Sequence, residues 1–207
     1  MYSDITGIIL AGGKSTRMGQ NKSLLKIGEL TVIERVIQLM SSIFKDTILI
    51  TNTPDEYKFL NIQMYKDIYE YKGPLAGIHS GLANSTTEEN FIISCDIPLM
   101  TQEMIEYIVD YKSENLITIC KADGFIQQLA GRYSKSVLTN TEEILLEGIA
   151  ETSDINQKKR KCSVLGLIDK VGAEIIDVKN LEFYKEGTFH NMNRPEDYEK
   201  INDVLKF

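Results

Sequence analysis

The run Ile8-Ile9-Leu10-Ala11-Gly12-Gly13-Lys14-Ser15-Thr16-Arg17-Met18-Gly19-Gln20-Asn21-Lys22 constrains this chain more than any other stretch. A short apolar segment stops at two adjacent glycines, and a polar loop follows that holds Lys14, Arg17 and Lys22. Ile8 to Leu10 read as a buried strand. Gly12 and Gly13 let the backbone turn sharply and approach a ligand with no Cβ in the way. Successive backbone N–H groups in such a turn make an anion-binding concavity. Fixed cations beside it suit a polyphosphate, so the stretch predicts a nucleoside triphosphate cradle at the C-terminal end of the first strand. Two other phosphate motifs do not fit. A Walker loop needs glycine where Ile8 stands, and Gly7 is one place too early. The dinucleotide fingerprint needs a residue between its first two glycines, and here they are adjacent. The remaining alternative is an ordinary strand-to-helix loop with solvated charges.

Beyond the loop, apolar spacing alternates between strand and helix periods, the pattern of an α/β fold. Thr31 and Glu34 form a capping box that opens a helix carrying Val32, Ile33, Val36, Ile37, Leu39, Met40 and Ile43. Strands are predicted over 47–51 and 63–65, and a helix from Pro74 to about Ala83. Gly77 and Gly81 give that helix a smooth face for close packing or for a ligand. Residues 91–94 read as a central strand. Thr101 caps a helix to about Tyr111. Strands over 116–120 and 125–133 form a hairpin about Asp123-Gly124, which makes the sheet mixed. A helix from Ser136 to about Gly148, a loop or frayed end over 151–156, a helix over 164–171 and a strand over 173–178 follow. Residues 189–193 are read as ending the sheet, and Pro195 starts the last helix.

Several polar residues sit where such sheets bind ligands, just past strand ends. Asn52 follows the second strand and either contacts a base or ribose or turns the chain before Pro54. Asp67 follows the third; a carboxylate there can accept from both N1–H and the amino group of guanine, or be a solvated acid. Asp96 follows the central strand, with Pro98 stopping it; a lone Asp-x-Pro would read as a turn, but behind a buried strand and with the opening loop it is placed to hold Mg²⁺ together with phosphate oxygens and water. Asn191 and Asn193 alternate, so on an extended chain both would point one way; capping of the last helix is the other role for Asn193. Cys95 reads as a packed small hydrophobe and His79 as a structural residue. Lys158-Lys159-Arg160-Lys161 meets a second substrate's phosphate or forms a solvated face.

Composition narrows the class. The 207 residues suit one domain, and a net charge of −7 argues against nucleic acid as partner. Three separated cysteines, Cys95, Cys120 and Cys162, give neither a disulfide framework nor a zinc motif. No secretory signal and no membrane-length apolar run is visible, which predicts a cytoplasmic protein. Only His79 and His190 are available, too few for a histidine-rich metal site.

Leu10-Ala11-Gly12-Gly13, Arg17-Met18-Gly19 and Lys22 together resemble the signature of sugar-phosphate and cofactor nucleotidyltransferases. Asp67 with Gly73-Pro74-Leu75-Ala76-Gly77, then Cys95-Asp96-Ile97-Pro98, then Asn191-Met192-Asn193-Arg194-Pro195-Glu196-Asp197 extend the likeness from first strand to last helix. The nearest resemblance is to the molybdenum cofactor guanylyltransferases. It implies a three-layer Rossmann-like nucleotidyltransferase fold, with a mixed, mostly parallel sheet and helices on both faces. One domain is expected over 1–207, with nucleotide binding in about 1–115 and acceptor binding in about 116–207.

The implied reaction moves GMP from GTP to the phosphate of molybdopterin, with Mg²⁺ as cofactor and pyrophosphate as leaving group. Arg17, Lys22 and Asp96 are the catalytic candidates. Leu10, Ala11, Gly12, Gly13, Lys22, Asn52, Asp67 and Asp96 are the GTP-binding set, Asp96 the metal ligand, and Asn191 and Asn193 acceptor-side residues. Transient contact with other molybdenum cofactor enzymes is a further expectation. Two departures stand out. Asn21 stands where relatives usually carry aspartate, and Gln128 stands before Leu129 where they usually carry proline. Two alternatives stay open: a relative using CTP or a sugar or polyol phosphate acceptor, and a non-catalytic nucleotide-binding regulator.

Overall fold

The computed structural model describes residues 1–12, 21–70, 72–150 and 163–205. Gly13, Lys14 and Arg17 of the glycine loop lie outside them, as do residues 151–162 with the Lys158–Lys161 cluster. One seven-stranded sheet organises the described chain. Its strands are β1 (Tyr2–Leu10), β4 (Phe44–Ile50), β5 (Gln63–Tyr65), β6 (Glu89–Ser94), β7 (Ile117–Ala122), β8 (Phe125–Ser134) and β9 (Glu174–Asp177). They lie side by side in the order β5-β4-β1-β6-β8-β7-β9. Within this sheet β8 alone is antiparallel to its neighbours; the pairs β5–β4, β4–β1, β1–β6 and β7–β9 are parallel. The two central strands are apolar on both faces, as Ile8, Ile9, Ile92 and Ile93, all fully buried, illustrate.

Two apolar layers follow from that alternation. One face packs α1 (Val32–Ile43) through Ile33, Val36, Met40 and Ile43, and α3 (Gln102–Asp110) through Met104, Ile105 and Ile108. The other packs α2 (Pro74–Asn84) through Leu75, Ile78 and Leu82, α4 (Leu138–Ala150) through Ile144 and Leu145, and α5 (Val164–Val171) through Val164, Leu167 and Ile168. The expected three-layer arrangement is therefore present. The predicted capping box also forms: Glu34 Oε2 accepts from Thr31 N at 2.7 Å, and Thr31 Oγ1 accepts from Glu34 N at 3.3 Å.

The glycine pair in α2 is used for packing. A Cβ on Gly81 would stand 2.6 Å from Ile8 Cγ2, so the helix can sit this close to the sheet only with glycine there. The Asp123-Gly124 turn has φ of 52° and 82°, the left-handed pair that a two-residue hairpin needs.

Two readings are corrected. Residues 189–193 form no strand; they cross the end of the sheet as a loop, tied by Met192 N–H to the Asp96 carbonyl at 2.9 Å. The helix expected from Ser136 starts at Leu138, after a 3-10 turn over Lys135–Val137 in which Ser134 accepts from Ser136 N. α6 (Pro195–Leu205) then returns to a small hairpin of β2 (Lys26–Ile27) and β3 (Leu30–Thr31). Ile201 and Met192 pack there on Ile27 and Val32, and Tyr198 Oη donates to the Lys26 carbonyl at 2.6 Å.

Candidate active site

The strand register sets the site. Leu10 is level with Ile50 on one side and Ser94 on the other, and Ile50 is level with Tyr65. Four parallel strands thus end together. Ala11-Gly12, Asn52, Asp67 and Asp96 lie one or two residues beyond those ends. The chain leaves β1 toward β4 and β5, then returns to β6 on the far side, so Leu10 and Asp96 flank the reversal in strand order where open sheets bind ligands.

Lys22 and Asp96 meet there. Lys22 Nζ donates to Asp96 Oδ2 at 2.6 Å and to Asn193 Oδ1 at 2.9 Å. Both partners of the ion pair are mostly shielded, with side-chain exposures of 22% and 13%. Ser94 Oγ donates to Asp96 Oδ1 at 2.6 Å, so each carboxylate oxygen has one partner and keeps lone-pair capacity. The lysine's carboxylate partner is therefore Asp96, 74 residues away in sequence, and the side chain at position 21 is turned elsewhere. Asn21 Oδ1 accepts from Ser23 N and Oγ at 3.1 and 2.8 Å, which caps the 3-10 turn over Lys22–Leu24. Its Nδ2 donates to Glu56 Oε2 at 2.6 Å and to the buried Tyr57 hydroxyl at 2.9 Å.

Asn52 and Asp67 form a second pair. Asn52 Nδ2 donates to Asp67 Oδ2 at 2.8 Å, and Asp67 N–H donates back to Asn52 Oδ1 at 3.1 Å. The pairing fixes the Asp67 side chain. Burial holds its carboxyl above the usual carboxylate range, against the lowering effect of the Asn52 hydrogen bond. A Cβ on Gly77 would stand 3.3 Å from Leu10 Cδ2 and 3.8 Å from Asp67 Oδ1, so this turn of α2 runs close beneath the same corner. At Gly12 an added Cβ would meet nothing within 4 Å. Ala11 N–H is committed to the Ile50 carbonyl at 2.9 Å, and the Leu10 carbonyl accepts from Cys95 N at 3.0 Å.

The two late asparagines part company. Asn193 reaches Lys22, while Asn191 lines a cleft of about 340 Å³ with Ile97, Phe125, Gln128 and Phe189. The reason is the loop conformation, which breaks the alternation an extended strand would impose. Nor is α6 started by Asn193: Asp197 Oδ2 accepts from Asn193 N and Arg194 N at 2.9 and 2.8 Å. Cys95 is buried, and burial, reinforced by the Asp96 charge, pushes its thiol up to about 12, which suits packing rather than nucleophilic attack. His79 is buried in α2, edge-on to Tyr69 at 5.0 Å. Sequence reading missed Ser94, Asn21 and Tyr57 as supports. Only Asn21 carried a signal, through its departure from the family pattern.

The MobA-like NTP transferase domain model matches residues 7–159. A probable molybdenum cofactor guanylyltransferase of Carboxydothermus hydrogenoformans is 34% identical over 204 residues, 98% of this chain and 97% of its own. The chain belongs to the MobA-like NTP transferase family. A molybdenum cofactor guanylyltransferase of Desulfosudis oleivorans is 30% identical over 207 residues, 98% and 96% of the two chains. The molybdopterin-guanine dinucleotide biosynthesis protein A of Archaeoglobus fulgidus has the same fold, with TM-score 0.80, 20% identity and coverage of 97% and 98%. Membership makes the chain a nucleotidyltransferase enzyme of molybdenum cofactor biosynthesis rather than a non-catalytic regulator. Among the described residues no helix is long and apolar enough to cross a membrane.

Proposed function

We propose that this nucleotidyltransferase transfers GMP from GTP to the terminal phosphate of molybdopterin. A phosphate oxygen of molybdopterin attacks the α-phosphorus of GTP in line. The bond from that phosphorus to the β-phosphate bridging oxygen breaks, and pyrophosphate leaves with its electron pair. The nucleophile is already an anion near neutral pH, so no strong base is needed. The difficulty is charge repulsion and alignment, which fixed cations and backbone dipoles address.

The contact of Lys22 with Asp96 past aligned strand ends carries this reading. Lys22 would meet the phosphates beside Gly12 and Gly13, with Arg17 supplying a further cation. Asn52 orients Asp67, whose carboxylate would accept from guanine N1–H and its amino group, with the Leu10-Ala11-Gly12 backbone alongside. Among the described residues no three His, Cys, Asp or Glu side chains gather to hold a metal. The Asp96 carboxylate keeps lone-pair capacity on both oxygens, which suits Mg²⁺, since that ion takes one or two carboxylates and completes its shell with phosphate oxygens and water. Asp96 would hold it, and when bound it would neutralise charge on the phosphates. Asn191, Asn193 and the adjoining cleft would receive the acceptor, dividing the domain into a nucleotide part over about 1–115 and an acceptor part over about 116–207.

Pyrophosphate release from each of the four NTPs, with and without molybdopterin and Mg²⁺, tests the assignment. Release is expected only with GTP, acceptor and metal together. Asp96→Ala or Lys22→Ala should lower turnover about a hundredfold or more. Equal release from CTP, or wild-type turnover in Asp96→Ala, would overturn it.

A further inference from the structure

The cleft beside Asp96 contains two carboxamides whose side chains have no hydrogen-bond partner among the described residues. Its floor and walls include Ile97, Phe125, Gln128, Phe189 and Asn191. Its other polar residues are occupied. Asp123 accepts from Tyr184 Oη at 2.5 Å and from Gly187 N at 3.3 Å. Gln127 Nε2 donates to the Ala122 carbonyl at 3.2 Å, and His190 Nε2 faces Asp197 Oδ1 at 3.1 Å. Among the described residues, by contrast, no hydrogen bond satisfies the side chain of Gln128 or of Asn191, and the Gln128 Oε1 is buried without a partner.

A buried acceptor left unpaired is destabilising, because it gives up its bond to water and gains none in return. The terminal torsion of glutamine is soft, so a half-turn exchanges the two ends of the amide, presenting the oxygen to the cleft and turning Nε2 to the buried side. Phe125 completes the surface. It sits on the β7–β8 hairpin with 73% of its area exposed and lines the cleft together with Phe189. An open aromatic face beside unpaired amides is complementary to a flat ring whose edge carries both N–H donors and a carbonyl.

We propose that Gln128 and Asn191 read the hydrogen-bonding edge of the acceptor's fused heterocycle, with the ring laid on Phe125, and that Gln128 decides which ring is accepted. This rests on the cleft being the acceptor's side of the transfer site. A ring lacking edge donors would leave the Gln128 oxygen unpaired and be rejected on that ground.

The test uses 6-hydroxymethylpterin as ring probe, titrated by its own fluorescence, alongside Mg²⁺-GTP affinity and molybdopterin KM. Gln128→Met keeps length and loses the acceptor; Gln128→Glu keeps an acceptor oxygen. Gln128→Met should weaken probe binding about tenfold, a 1.4 kcal/mol change. Gln128→Glu should stay within about threefold, and GTP affinity should not move in either variant. Probe binding by Gln128→Met within about twofold of the unaltered chain would overturn the proposal. So would no saturable probe binding by the unaltered chain. Failure of the reaction reading is separable. If no GMP reaches molybdopterin yet the probe binds through Gln128, ring reading stands and the GTP–molybdopterin assignment falls. If transfer is normal and the molybdopterin KM of Gln128→Met is unchanged, ring reading falls and the reaction stands.

Discussion

At position 21 a single amide decides how Lys22 is presented. Its Nδ2 lies 2.6 Å from Glu56 Oε2, so a carboxylate in its place would set two anions at hydrogen-bond distance. Asn21→Asp is expected to disturb the Lys22 turn and lower turnover about tenfold, equivalent to about 1.4 kcal/mol of barrier. Adding Glu56→Gln should restore most of it, because the amide then donates to the new carboxylate. Equal turnover in both single and double variants would separate position 21 from Lys22. Asp67 carries the opposite tension. Its folded carboxyl is raised by burial, so the folded state holds the proton more tightly than the unfolded chain does. The stability this group lends is complete below the ordinary carboxylate value and is lost as pH rises through the raised one. On the proposed guanine contact, nucleotide binding would need the anion and should fade as pH falls through that same raised value. Asp67→Asn should therefore melt no lower than the parent at neutral pH, yet raise the KM for GTP about tenfold or more. An amide presents a donor beside an acceptor, so the variant should gain use of XTP relative to GTP, read from pyrophosphate release with each.

Among elements, β8 is the one with least room. It runs antiparallel between β6 and β7, and a Cβ on Gly131 would stand 2.6 Å from both the Thr118 carbonyl oxygen and Ile119 Cγ2. Backbone on a paired strand cannot step aside as a side-chain tip can. Gly131→Ala should cost about 1–3 kcal/mol, seen as a lower urea midpoint with an unchanged slope. No shift in midpoint would mean that β7 and β8 slide more freely than their ladder suggests. The 3-10 turn of Lys22 gains its rigidity from other elements. The β2–β3 hairpin behind it is packed by Ile201 of α6, and Arg35 of α1 donates to the Ile27 carbonyl at 3.1 and 2.6 Å. First and last segments of the chain thus hold one lysine.

For the whole molecule, a ligand that binds only the folded state adds stability by mass action. GTP with Mg²⁺ at a hundred times its Kd would add about 2.7 kcal/mol. For a chain of this size that is about 5–10 °C in Tm. CTP, ATP and UTP at the same concentration should give less; equal shifts from all four would remove base selection from the Asn52–Asp67 corner. The sequence by itself determined the alternation of elements, because burial on a sheet or helix leaves a period of two or 3.6 in the apolar residues. The capping box at Thr31, the β7–β8 turn at Asp123-Gly124 and the span of α5 over 164–171 were legible for the same local reason. Residue types at strand ends also marked Asn52, Asp67 and Asp96 as a set. Their pairing was decided only by tertiary structure. Lys22 and Asp96, or Asn52 and Asp67, meet because strands distant in sequence end level in one sheet, and no local period records that register. Residues 189–193 show the limit from the other side. Their alternation reads as a strand, but no strand of the sheet pairs with them, and the bond from Met192 to Asp96 turns the segment into the loop that separates Asn191 from Asn193.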